Sequence, residues 1–301
     1  MKRYVNQILS KSNVSEPIGT EKKSFFHGVQ GVVGSNPIAP TNSNTSNAGA
    51  SRRCCLWRVR MSVNTLRIDL AAAFRLAVTM DWHESVGNHF SLAISADGHQ
   101  FLLNPKWRHF SLIRASDLLL VDSNDPATLS RPDAPDSTAW CIHGQLHRLV
   151  PHARCVLHVH PPYATALATL KNPTLLPIEQ NTARFFNRLA YDAGFTGLAD
   201  NEAEGQRLAA ALGDNRSMLM GNHGVLVTGP TVAEAFEELY FLERAAKTLM
   251  LAYASGQPLA VLSDEVAERT AVAWEDFRES AYAHFRDLKT GLDREDPSYR
   301  D

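Results

Sequence analysis

The stretch VLHVHPPYATALATL (residues 156–170) sets two histidines one residue apart and closes the run with Pro161-Pro162. In an extended strand, residues i and i+2 project from the same face. His158 and His160 therefore stand side by side, while Val156, Leu157 and Val159 make the rest of the run apolar. Proline lacks the N–H that a strand ladder needs and suits the first turn of a helix. The pattern predicts a strand over 155–160 that ends in two imidazoles, then a helix over 162–170. A third histidine lies in SMLMGNHGVLVTG (217–229), an apolar strand pair broken at Asn222-His223-Gly224. Glycine there permits close approach of the backbone. Neutral imidazole is a good ligand for zinc or iron, and three protein nitrogens leave a position for water or substrate. The competing reading is packing, because histidines are often partly buried for that reason alone. Spacing alone leaves both readings standing.

The flanking segments predict one α/β domain. Residues 65–82 carry apolar side chains at Leu66, Leu70, Ala73, Phe74 and Ala77, a helical period. GNHFSLAIS (87–95) and QFLLNP (100–105) read as strands around the turn Ala96–Gly98, and DLLLVDSND (117–125) holds a third. AWCIHGQLHRLVPHA (139–153) reads as a helix. TVAEAFEELYFLERAAKTLMLAYASG (231–256) is a long amphipathic helix with a capping box from Thr231 to Glu234. Residues 265–288 read as one last helix, with charges on a solvated face. Hairpins mixed with βα units argue against an all-parallel sheet.

Of 301 residues, 44% are apolar and the formal charge is −2. A sizeable core can be buried, and no electrostatic case exists for a nucleic acid or an anionic membrane. No run has the length of a membrane-spanning helix. The four cysteines, Cys54, Cys55, Cys141 and Cys155, form neither a disulfide framework nor a zinc ribbon. A reducing, cytoplasmic setting is expected.

The motifs SVGNHFSLAI, FLLNP, SDLLLVD, LHVHPPYATALA and GNHGVLVTGPTVAEAFEELYFLERAAK together resemble the class II aldolase/adducin family over about residues 64–252. The resemblance implies a three-layer α/β/α sandwich around a mixed, largely antiparallel sheet. It implies that His158, His160 and His223 bind a divalent metal, usually zinc. In that family the metal polarises substrate oxygens and stabilises an enediolate while a carbon–carbon bond forms or breaks. It also implies a small-molecule substrate and a homo-oligomer, often a tetramer, whose sites lie at subunit interfaces. Ser85, Gly87 and Asn88, with Ser137 and Thr138, resemble the family's anion pocket. The family's Pro-Thr-Gly segment is PKWR (105–108) here; Lys106 and Arg108 are candidate anion ligands, and Trp107 is bulkier than the residue it replaces.

One departure bears on the chemistry. The aldolases carry a Glu acid/base in Ser-Ser-Glu-x-x-x-His. The matching stretch is STAWCIH (137–143), with Ala139 at the Glu position. A methyl group transfers no proton. This matches the adducin-like branch better than the sugar-phosphate aldolases. His143, Glu179 or a metal-bound water are the candidates to replace the Glu. His143 and His147 share a helix face, but Gly144 rules out H-E-x-x-H, and His147 is read as packing. The expected function is a metal-dependent lyase acting on a small hydroxy-carbonyl or hydroxy-acid compound. Two alternatives remain: an Fe2+ oxygenase or decarboxylase on the same histidines, or a non-catalytic adducin-like interaction module.

The domain division expected is an extension over 1–60, the family domain over 61–255 and a helical extension over 256–301. The first segment contains GSNPIAPTNSNTSNAGAS (34–51), a composition typical of disorder. Gly34–Pro37 is also what the T-arm of a transfer-RNA gene would encode, which points to Met61 as the true start. Mass spectrometry of the native N-terminus should find Met61 or Ser62 first; a peptide spanning Ser35 to Arg52 would refute this.

Overall fold

The computed structural model describes residues 62–194, 197 and 201–301, all within one compact unit, Trp57–Asp301. The expected extension over 1–60 lies outside the described residues. Seven strands form one sheet: β1 (His89–Ala93), β2 (Gln100–Leu103), β3 (Leu119–Asp122), β4 (Cys155–Val159), β5 (Leu189–Asp192), β6 (Ser217–Met220) and β7 (Gly224–Gly229). Their order is β3-β2-β1-β4-β7-β6-β5. Every neighbouring pair is antiparallel except β5 with β6. The mixed, largely antiparallel sheet expected from the sequence is therefore present.

Alternation along the strands builds the two outer layers. On one face, Phe90, Leu102, Leu157, Val159, Leu219, Val225 and Val227 join a core with helices α1 (Val63–Thr79), α3 (Pro162–Ala168) and α6 (Val232–Ala254). On the other, Val156, Met218, Met220 and Leu226 pack with α2 (Ser137–Leu149) and α5 (Glu202–Leu212). Phe101, Leu103 and Ala93 extend that second face, with Ala139 and Trp140 of α2 packed among them. This is the α/β/α sandwich.

The sequence pattern assigns nothing between 171 and 216. The structure places α4 (Gln180–Ala183), β5 and α5 there. The predicted last helix is two, α7 (Asp264–Glu275) and α8 (Glu279–Glu295). They meet different surfaces: Trp274 of α7 lies against Phe241, whereas Phe285 of α8 lies against Phe236. One straight rod cannot serve both. Phe285 and Tyr299 are buried in the same core as α1 and α6. The capping box at α6 is half formed. The Thr231 hydroxyl accepts from the Glu234 amide, but the Glu234 carboxylate turns to Arg216 and to the Tyr282 hydroxyl.

Helices α2 and α5 touch where α5 has no side chain. A Cβ on Gly205 would lie 2.5 Å from the Cys141 carbonyl oxygen. Alanine favours a helix over glycine by about 1 kcal/mol. Backbone overlap in a packed layer costs about 1–3 kcal/mol and has no flexible atom to absorb it. Gly205→Ala should therefore lower the urea unfolding midpoint; a raised midpoint would show that the two helices separate freely.

Candidate metal centre

His158 lies near the end of β4, on the α2 side of the sheet, and His160 follows where Pro161-Pro162 ends the strand. Helix α3 begins at once. Glu243 of α6, although buried, accepts from the backbone amides of Tyr163 and Ala164 at 2.9 and 2.7 Å. That anchors the chain leaving His160. His223 comes from the tight β6–β7 connection. Asn222 takes φ 54°, a left-handed conformation that Asn tolerates, and the His223 amide donates to the Met220 carbonyl. The ring centroids of the three histidines are 4.7–5.1 Å apart. One nitrogen from each can be chosen so that all lie within 4.8 Å of one another.

The protein sets the tautomers of two of these rings. His158 Nδ1 donates to the Val225 carbonyl at 2.9 Å, and His160 Nδ1 donates to the Glu84 carboxylate at 2.5 Å. In each ring Nε2 is left with the lone pair. His160 Nε2 is buried and has no hydrogen-bond partner. A buried polar nitrogen without a partner is costly, and a metal ion would satisfy it. Gly224 completes the cradle, because a Cβ there would collide with the His160 ring. Burial pushes His158 well below the ordinary histidine range, and burial and the nearby His160 hold His223 at about 4. Both rings are neutral near pH 7, the form that ligates metal. The residues fit a divalent cation with affinity for imidazole.

The other expected site residues separate into two groups. Ser85, Gly87 and Asn88 lie in the turn that carries Glu84. The Asn88 side chain accepts from the Glu84 amide at 2.9 Å, so it closes this turn. Ser137 and Thr138 start α2, where Thr138 donates through its amide and hydroxyl to Asp136. Lys106 pairs with Asp136 at 3.9 Å, and Arg108 with Asp117 at 3.6 Å. Trp107 is 73% exposed. The Glu179 carboxylate is occupied as the N-cap of α4, accepting from the amides of Asn181 and Thr182. His143 is fully buried with both nitrogens engaged, Nδ1 by Ser91 and Nε2 by His89. Ala139 is itself buried in an apolar cluster.

Sequence reasoning missed Glu84 and His89. Glu84 is 76 residues from His160 and becomes its partner only through the fold. His89 of β1 lies directly opposite His158 of β4, with ring centroids 4.9 Å apart. The available signal was local: His89 and Ser91 are i and i+2 in a predicted strand, so they share a face. His147, read as packing, is also part of this polar group; its Nε2 accepts from Ser91 at 2.7 Å and its Nδ1 donates to the Ala153 carbonyl at 2.7 Å. Beside the turn that carries His223, a cleft of about 370 Å³ is lined by Thr169, Lys171, Tyr191, Asp192 and Asn222.

The family described as Class II Aldolase and Adducin N-terminal domain matches residues 68–250. A Caulobacter vibrioides protein with an aldolase class 2 name is 33% identical over 202 residues, 67% of this chain and 78% of that one. The decarboxylase NovR of Streptomyces niveus is 29% identical over 62% of this chain and 72% of its own. The crystal structure of an aldolase II superfamily protein from Pseudomonas syringae superposes with a TM-score of 0.71. It is 30% identical and covers 81% of this chain and 98% of that one.

Burial of neutral histidines ties stability to pH. The unfolded chain gains a proton at each histidine below about pH 6.5, whereas burial holds folded His147 neutral down to about 4. Between those values the unfolded state binds more protons, so stability rises from pH 4 to 6.5 and levels above. At roughly 1.4 kcal/mol per pH unit, His147 alone accounts for about 3 kcal/mol lost by pH 4. The urea midpoint of the metal-free protein should fall between pH 7 and 5, and His147→Gln should reduce that fall. Equal midpoints at the two pH values would contradict the buried neutral state.

Proposed function

The chain belongs to the class II aldolase and adducin family, and on that premise we propose that it is a metal-dependent lyase acting on a small hydroxy-carbonyl or hydroxy-acid substrate. His158, His160 and His223 hold the metal, taken as Zn2+. The observation that carries this is the buried, unpartnered Nε2 of His160, oriented by Glu84 and set beside two neutral imidazoles. A metal bound there would supply Lewis acidity toward substrate oxygens. The chain's own residues do the rest. Glu84 and the Val225 carbonyl each accept the Nδ1 hydrogen of one ligand ring and so orient its Nε2 toward the centre, and Gly224 lets β7 close on the His160 ring. Lys106, which follows β2 and pairs with Asp136 just before α2, offers a cation to a substrate anion. The enzyme is expected in the cytoplasm as a homo-oligomer, up to a tetramer. Cys141 and Cys155 are both buried, and among the described residues no helix is long and apolar enough to cross a membrane.

A second reading has its own support. The ligand group contains three histidines and no carboxylate. That donor set also suits Fe2+, and the relative NovR is named a decarboxylase. Oxygen uptake by the iron-loaded protein with a hydroxy or keto acid, absent with zinc, would favour it.

Metal analysis tests the common core of both. His158→Ala, His160→Ala and His223→Ala should each weaken metal binding at least about tenfold, since even loss of a supporting hydrogen bond commonly does so. Equal metal in wild type and all three variants would reject the site.

The protein should also be a poor aldolase toward phosphorylated sugars such as fuculose phosphate. Ala139 supplies no acid/base, a group that contributes about a hundred- to ten-thousand-fold in rate. Brisk cleavage of such sugars would show that another residue carries the proton in aldol chemistry.

A further inference from the structure

A buried line of polar side chains runs from the interior of the α2 layer to the metal centre, and its hydrogen bonds can point only one way. It begins at the Ala153 carbonyl, which can only accept. His147 Nδ1, 2.7 Å away, must therefore carry a hydrogen. The ring is 4% exposed, and burial keeps it neutral, so its Nε2 is bare. The Ser91 hydroxyl, 2.7 Å from that Nε2, has one hydrogen and must donate it there. Toward its other partner, His143 Nδ1, the same oxygen can only accept, so His143 is protonated on Nδ1. His143 has no exposure and contacts no carboxylate among the described residues, so a second proton would be an uncompensated buried charge. Its Nε2 is bare and accepts from His89 Nδ1 at 2.6 Å. One backbone carbonyl thus dictates three imidazole tautomers in succession.

The line ends at His89, whose hydrogen is on Nδ1 and whose Nε2 keeps the lone pair. His89 stands on the same face of the sheet as His158 and directly opposite it in the β1–β4 register. Its charged and titratable neighbours on that side are His158, His160, His223 and Asp136. It is not part of the group of three whose nitrogens converge.

We propose that His89 Nε2 is the hydrogen-bond acceptor for a substrate hydroxyl at this centre, and that His143, Ser91 and His147 are positioning residues that fix it in the acceptor tautomer. This rests on reading the three converging histidines as a substrate-binding metal site. A nitrogen held as an acceptor selects a ligand that brings a donor. The substrate class is therefore a compound with a free hydroxyl next to the carboxylate or carbonyl that meets the metal. A site built to bond a hydroxyl rejects analogues that lack it, because its own buried polar group is then left unpaired. This gives the centre a polar contact to substrate that does not depend on a carboxylate at position 139.

Two measurements test it on the full chain. In metal-free protein labelled with 15N-histidine, long-range proton–nitrogen correlations report each tautomer, with signals assigned from single His→Gln variants. His89, His143 and His147 should each be protonated at Nδ1 and bare at Nε2. Ser91→Ala should leave His89 a mixture of tautomers. A wild-type His89 protonated at Nε2 overturns the proposal.

The second measurement compares binding of glycolate and methoxyacetate to zinc-loaded protein by calorimetry. Wild type should favour glycolate by at least about tenfold, the worth of one good hydrogen bond. His89→Phe should retain zinc and lose that preference. Absence of the preference in wild type, its persistence in His89→Phe, or loss of zinc from that variant would each overturn the assignment. Failure of wild type to bind zinc would strike the metal-site reading instead, and the tautomer measurement would still decide the state of His89.

Discussion

The antiparallel pairing of β4 with β7 is the constraint on which the centre depends. It places His158 opposite Leu226 and runs the chain past His160 at Gly224, where any side chain would strike the imidazole. The same pairing brings the Val225 carbonyl to His158 Nδ1. A single stretch of β7 therefore makes room for one histidine and orients another. The turn before it supplies the third. Shifting the register by one residue would turn His158 into the α6 layer and present an apolar neighbour in its place.

Around that pairing the fold keeps His158, His143 and His147 neutral by burying them and limits the partners of each ring. Backbone carbonyls meet His158 and His147, one carboxylate meets His160, and one hydroxyl lies between His143 and His147. The carbonyl and carboxylate contacts each accept from an Nδ1, and the hydroxyl donates to His147 Nε2 while accepting from His143 Nδ1. Desolvation makes the protonated forms unfavourable, so the cluster is set for coordination and for accepting hydrogen bonds rather than for holding charge. Supporting elements act at a distance from the rings. Glu243 anchors α3 behind His160, and the Glu84–Asn88 turn holds the carboxylate that orients it.

A single α/β domain and a candidate trio of histidines are legible because their signals are local, whereas the sandwich and the metal-binding role come from the family resemblance. Same-face spacing in one strand, a glycine-flanked turn and alternating apolar residues need no knowledge of pairing. His89 was not legible as a site residue, because its meaning comes from a register set 69 residues away against His158. Glu84 is hidden for the same reason. Glu179 shows the converse. Its spacing to Thr182 is the pattern of a helix cap, and the structure uses it so. Within residues 171–216, β5 and α4 escaped because each has only four residues, too short for a periodic signal. The split between α7 and α8 follows from two docking surfaces that the local pattern does not record.

X-ray absorption at the zinc edge of the metal-loaded full chain tests the central claim most directly. The account predicts a nearest shell of nitrogen and oxygen only, with the outer scattering of three imidazole rings, and loss of one ring's contribution in His160→Ala. A shell containing sulfur, or one of oxygen without imidazole scattering, would contradict it.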